Sequence, residues 1–169
     1  MIKIIGAKGN IQNVDSFLGK IIKYRKEKEL IIQAFNADVI YGKEHLASSF
    51  KHAKRAFKNK TNSTNSLEME ILLYSSGERQ LKLAIPKMGV VSGNSNIAFI
   101  FIKEKDILTD RIIDEFLVYA SLKRDDKVLL GNADTLKKFG IKKNEIKTVT
   151  KDKYGHLILE KVARVDIIK

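Results

Sequence analysis

Ile97-Ala98-Phe99-Ile100-Phe101-Ile102 is the longest apolar run in the chain, and its reading decides the fold. Its β-branched and aromatic residues make a buried strand, and the run is far too short to cross a bilayer. With Asn96 in front, the strand is read over 96–102. Two further segments, Ile2 to Ala7 and Leu30 to Phe35, read the same way. Other stretches have the helical period. From Val14 to Lys28, Phe17, Leu18, Ile21 and Ile22 share one side, with Lys20, Lys23, Arg25 and Lys26 outside and Asn13 as N-cap. Leu46, Phe50, Ala53 and Phe57 form a core stripe on a helix from about Lys43 to Asn59. Leu67 to Tyr74 is apolar all round, which predicts a central, buried helix. Asn65 and Glu68 have capping-box spacing at its start. Ser75 and Glu78 repeat that spacing, so a further helix is expected to open there. It should stop at Gly89, with Pro86 distorting its last turn.

Beyond the central run, Leu108 to Leu122 predicts an amphipathic helix capped by Thr109 or Asp110. Asp134 to Phe139 predicts a short helix stopped by Gly140. Leu157 to Ile168 fits either period: Ile158, Val162 and Val165 suit a helix, and alternate residues would also line a strand. Helix is favoured. Three strands among five or six helices define an α/β chain of mixed α+β type, with a small central mixed sheet flanked by helices. The length of 169 residues fits one domain, 1–169.

Composition narrows the chemistry. With no cysteine, disulfides, thiolate metal sites and thiol nucleophiles are excluded. No secretion signal or membrane-length stretch is visible, so a cytoplasmic protein is expected. No phosphate-binding GxxxxGK[ST] occurs. Gly6 and Gly9 follow a strand, but no third glycine completes a dinucleotide fingerprint. His45, His52 and His156 lack metal-ligand spacing and read as surface or satisfied histidines. No serine sits in a nucleophile elbow. Asp125-Asp126 reads as a solvated turn. Glu68 and Glu70 fall on opposite sides of a helix, so they read as partners within the fold. No catalytic residue, metal or cofactor is expected.

The net charge is +12, from 32 basic and 20 acidic residues, and favours a polyanion partner. Residues 43–60 hold six basic residues and one acid, +5 of that total. At 100° per residue Lys51, Lys54, Arg55 and Lys58 share one flank. Lys60 and the polar loop Thr61-Asn62-Ser63-Thr64-Asn65 follow. Cations there would neutralise phosphates, and Asn62 and Asn65 would bond sugars or splayed bases. The same pattern equally describes a solvated helix face.

Asn65-Ser66-Leu67-Glu68-Met69-Glu70-Ile71-Leu72-Leu73-Tyr74-Ser75-Ser76-Gly77-Glu78-Arg79-Gln80 is long and unusual. With Asn36-Ala37-Asp38, Gly42-Lys43-Glu44-His45-Leu46 and His52-Ala53-Lys54-Arg55-Ala56, it resembles the smallest core subunit of the KEOPS/EKC complex, the PRPK-binding protein family, in its archaeal form. The resemblance is strongest over 33–90. It implies a non-catalytic accessory subunit of the complex that makes threonylcarbamoyl-adenosine in tRNA. It implies two partners: a kinase-like ATPase, and tRNA held by its 3′-CCA end. It also implies that the C-terminal region docks the kinase. Ile158, Val162 and Val165 are the candidates, with Lys161 and Arg164 as rim, although the protein's own core would use them equally well. For RNA, a helix opening at Gly77 would present unpaired N–H groups and a positive dipole end. Ser75, Ser76, Gly77, Arg79 and Gln80 would then continue the cationic flank of Lys51 to Lys60 as one anion-receptive surface. The alternative is a free-standing basic RNA-binding module.

Overall fold

The computed structural model describes residues 1–168. The elements, in order, are β1 (Ile2–Ile11), α1 (Val14–Glu27), β2 (Ile31–Asn36), α2 (Gly42–Asn59), α3 (Leu67–Ser76), α4 (Leu81–Met88), β3 (Gly93–Ile102), α5 (Asp110–Tyr119), β4 (Lys123–Arg124), α6 (Ala133–Phe139), α7 (Lys143–Ile146) and α8 (Tyr154–Ile168). Single 3-10 turns at Ala37–Val39, Asp126–Leu129 and Lys151–Lys153 join them. The mixed α+β fold is as the sequence predicts. The sheet differs in detail. Its order is β2-β3-β1-β4 and every pairing is antiparallel, where a mixed sheet was expected.

The apolar run lies in β3, and the sheet explains its composition. β3 is paired on both sides and covered on both faces. Ile97, Phe99 and Phe101 pack with Phe17, Ile21 and Phe116, from α1 and α5. Ala98, Ile100 and Ile102 belong to the other core, with Leu46, Ile71, Leu136 and Ile158 from α2, α3, α6 and α8. Successive strand side chains point to opposite faces, so a strand with helices on both has no polar position to alternate with.

β1 runs to Ile11, four residues past its expected end, because it pairs with β3 from Ile2↔Ile102 to Ile11↔Gly93. Segment 121–128 crosses β1 closely. A Cβ on Gly6 would stand 2.5 Å from the Asp125 carbonyl, and one on Gly9 would stand 2.4 Å from Leu122 Cδ2. The two glycines thus admit a crossing backbone rather than a phosphate. Asp126 Oδ1 accepts the Gly6 N–H at 2.9 Å, so the acidic pair braces this crossing as well as facing solvent.

Local signals behave as the side-chain chemistry requires. Asn13 caps α1, its Oδ1 accepting from Ser16 N at 2.8 Å. Gly140 ends α6 at φ 102°. The C-terminal stretch is a helix, with Leu157, Ile158, Val162 and Val165 buried at the i, i+3, i+4 spacing.

Candidate nucleic-acid and partner interfaces

The second half of α2 presents cations to solvent. Lys51, Lys54, Arg55, Lys58 and Lys60 are all exposed. The inner face of α2 is closed by Leu46, Ala53 and Ala56, with buried His45 and Ser49 beside them. Among the described residues Lys51, Lys54, Lys58 and Lys60 have no carboxylate partner. Arg55 is held instead. Its Nη2 bonds Asp166 Oδ2 on α8, which also contacts His52 Nδ1 at 2.8 Å, and the Tyr74 hydroxyl bonds Oδ1. Burial acts to raise the Asp166 carboxyl. The hydrogen bonds from Tyr74 and His52 and the charge of Arg55 outweigh it and hold the group below the ordinary carboxylate range. Arg55, Asn59, Thr61, Ser63 and Asp166 rim a polar cleft of about 500 Å³.

The loop that follows is organised by one buried acid. Glu70 is fully buried. Its carboxylate accepts from Ser63 N at 3.1 Å, and from Thr64 N and Thr64 Oγ1, both at 2.9 Å. The Asn62 side chain donates to Thr64 O at 2.9 Å, while Asn65 is exposed. Glu68 turns the other way and pairs with Arg25 at 2.6 Å. Both acids serve the fold, as their opposite placement on α3 implied. α3 opens at Leu67 with Ser66 as its N-cap, which makes no side-chain cap bond.

The second half of the expected RNA surface is not formed. Ser75 and Ser76 are fully buried and are the last residues of α3, not the start of a helix. Their hydroxyls donate back to Leu72 O at 3.0 Å and Leu73 O at 2.7 Å. Gly77 is the C-cap, left-handed at φ 69°, and its N–H is already bonded to Tyr74 O at 3.1 Å. The dipole there has the sign opposite to the one expected. A Cβ on Gly77 would meet Lys161 Cβ at 3.1 Å, so α8 packs over this turn. The next helix, α4, opens at Leu81 with Gln80 as its N-cap, and Arg79 is exposed in the connection.

Arg79 and Gln80 also lie at the opposite end of α2 from Lys58. Ser75 O is bonded by His45 Nε2, near the start of α2, whereas Lys58 lies thirteen positions further on. That is roughly 20 Å of helix at 1.5 Å per residue. The twelve expected RNA residues therefore divide. Lys51, Lys54, Arg55, Lys58, Lys60, Asn62 and Asn65 gather at one end. Ser75, Ser76 and Gly77 hold a helix joint, with Arg79 and Gln80 beside it at the other.

The residues expected to dock a kinase face inward. Ile158, Val162 and Val165 are all fully buried in the core and offer nothing to a partner. The outward stripe of α8 is the adjacent one. Leu159 is half-buried, Ala163 exposed and Ile167 83% exposed, spaced i, i+4, i+8. Arg164 borders it, exposed, while Lys161 is tied to Glu145 of α7 at 2.6 Å. A second concentration of charge escaped the sequence reading. Lys142, Lys143, Lys147, Lys151 and Lys153 are all exposed. Their density was visible in the sequence, but the helical period that drew attention to α2 is missing from this turn-rich segment.

What the fold offers is a small α+β scaffold with a cationic helix end and an apolar helix face, the surfaces of a protein that binds partners. The family model described as kinase binding protein CGI-121 matches residues 9–151, and the chain belongs to that family. No curated protein matches the chain.

Proposed function

We propose that this chain is the non-catalytic KEOPS subunit that docks the kinase-like ATPase and recruits tRNA for threonylcarbamoyl-adenosine synthesis. The observation that carries the RNA half is the run of exposed lysines on α2 without carboxylate partners, beside a loop that displays Asn65 and the rim of a polar cleft. A single-stranded end, such as 3′-CCA, suits a surface of that kind, because unstacked bases can enter a cleft that a duplex cannot. Kinase docking is assigned to the outward stripe of α8, Leu159, Ala163 and Ile167, since the buried stripe is committed to the core.

Two measurements test this reading. Lys54→Glu with Lys58→Glu should weaken tRNA binding at least tenfold, and should lower the slope of log affinity against log salt by roughly 1.4, about 0.7 per lost phosphate contact. Unchanged affinity, or equal affinity for tRNA lacking its CCA end, refutes the placement. For the kinase, Ala163→Glu and Ile167→Glu should each break the stoichiometric complex on size exclusion while leaving the circular dichroism spectrum intact. A complex that survives both changes moves the docking face elsewhere.

A further inference from the structure

The cleft assigned above to a single-stranded RNA end carries a carboxylate in its wall, Asp166 of α8, beside Arg55 of α2. A carboxylate repels phosphate, and its contacts show what it does there. Arg55 Nη2 donates to Asp166 Oδ2 and lies 2.8 Å from His52 Nδ1. A guanidinium offers two forked edges to an oxyanion, Nε with Nη2 and Nη1 with Nη2. Nη2 belongs to both forks, with one hydrogen for each. Asp166 and His52 together occupy Nη2, so neither fork is open to a phosphate.

The triangle is only partly satisfied. His52 Nδ1 lies 2.8 Å from Asp166 Oδ2 as well as from Arg55 Nη2. Without a proton, Nδ1 accepts from Arg55 and sets its lone pair against the carboxylate. With a proton, it donates to Asp166 and sets its N–H against that of Arg55. Either way one of the three contacts is opposed. Withdrawal of Arg55 removes the conflict: Nδ1–H donates to Oδ2, while the Tyr74 hydroxyl remains on Oδ1 at 2.5 Å. The carboxylate is then not left unpaired, the usual penalty for breaking a part-buried ion pair. Arg55 is also the member placed to move. Its side chain is 56% exposed, against 32% for Asp166 and 17% for His52, which packs on the Tyr74 ring at 5.4 Å.

Given the RNA reading of this end of the molecule, on which the inference rests, we propose that Asp166 is a specificity-determining residue: it withholds Arg55 from anions outside the cleft and yields it to a phosphate of a single strand that enters. A polyanion lying across α2 meets the exposed Lys54, Lys58 and Lys60. The closed Arg55–Asp166 pair has no net charge and adds nothing to that attraction. A strand inside the cleft brings a phosphate to Arg55, with Asn59, Thr61 and Ser63 as further donors in the same wall. Phosphate then replaces the carboxylate on Nη2, and His52 takes the carboxylate in exchange. Discrimination comes from a contact that the wrong ligand never receives.

The test uses the whole chain and two fluorescein-labelled RNAs, a short single strand ending in CCA and a blunt duplex. Asp166→Asn keeps an acceptor for Tyr74 and releases Arg55. It should tighten binding of the strand by about fivefold or more, the worth of a part-exposed ion pair. Duplex binding should change by less than about twofold, since one exposed charge is screened at physiological salt. Arg55→Ala with Asp166→Asn should bind the strand no more tightly than Arg55→Ala alone. In the parent chain, saturation with the strand at constant pH should move the side-chain nitrogen resonances of both Arg55 and His52. Equal tightening of both RNAs, a gain that persists without Arg55, no gain at all, or unmoved Arg55 and His52 resonances would each overturn the proposal while leaving the RNA site in place. Strand binding by the parent that ignores Lys54→Glu with Lys58→Glu would overturn the RNA site, and this role of Asp166 with it.

Discussion

Replacing Val162 by aspartate is expected to destabilise the chain severely, while Ala163→Glu, one position away, leaves its stability almost unchanged. Val162 is fully buried between Ile158 and Val165 in the larger of the two cores. A carboxylate there exchanges water for hydrocarbon and gains no counter-charge. The cost is roughly 4 kcal/mol or more, a large part of the 5–15 kcal/mol that holds a typical domain. For a chain of this size the thermal midpoint should fall by roughly 10 °C or more. The position of Ala163 is exposed, so a charge there stays hydrated and the midpoint should barely change. Thermal denaturation followed by circular dichroism separates the two. A Val162→Asp protein that melts like the parent and fails only in kinase binding would show that the buried stripe is a docking face after all.

The second large effect is on pH. His45 is fully buried with both ring nitrogens engaged: Nδ1 accepts the Tyr41 N–H at 3.2 Å, and Nε2 donates to Ser75 O at 2.8 Å. Burial pushes its pKa down to about 4 from 6.5, the Ser75 hydrogen bond opposing and the charge of Lys87 assisting. A second proton would displace the Tyr41 N–H and bury a charge. The unfolded chain therefore binds a proton between pH 6.5 and about 4 that the folded chain refuses. Stability is complete above pH 6.5 and drains as pH falls through that window, by about 3 kcal/mol in all. Asp38, Asp126 and Asp166 have lowered pKa values, so their contributions are lost further down, below the ordinary carboxylate range. Urea unfolding at pH 7.0, 5.5 and 4.5 should show the loss, and His45→Gln should flatten it. An unchanged slope in that variant would assign the acid sensitivity to another group.

Much of the fold was legible because its signals are local. The β3 run, the Asn13 cap, Gly140 and the apolar spacing in α8 each act over a few residues, and each formed the predicted element. The joint at 75–80 was misread because its letters serve two geometries. Serine, glycine and glutamate at that spacing can open a helix or close one. The choice falls to Gly77 in the left-handed region and to His45, thirty residues earlier, which takes the Ser75 carbonyl. That contact is long-range, and no short window contains it. The same limit applies to α8. Periodicity identified which residues share a stripe, but α2, α3 and α6 decide that the stripe with Val162 faces inward and the one with Ala163 outward. The lysines of α2 were read correctly as an exposed flank, since a helix face opposite a core stripe has nowhere else to point.

One feature of the α2–α3 connection bears on how tightly anything could be held there. Glu70 fastens Ser63 and Thr64 from within, and Asn62 closes the turn from its own side chain. A connection of this length and polarity would ordinarily sample many conformations, and a ligand would have to select one at a cost of about 1–2 kcal/mol for each backbone residue it fixed. Here Asn62, Ser63 and Thr64 are already fixed by the fold. Binding energy at this end of the molecule is thus available for affinity instead of being consumed in arranging the receptor.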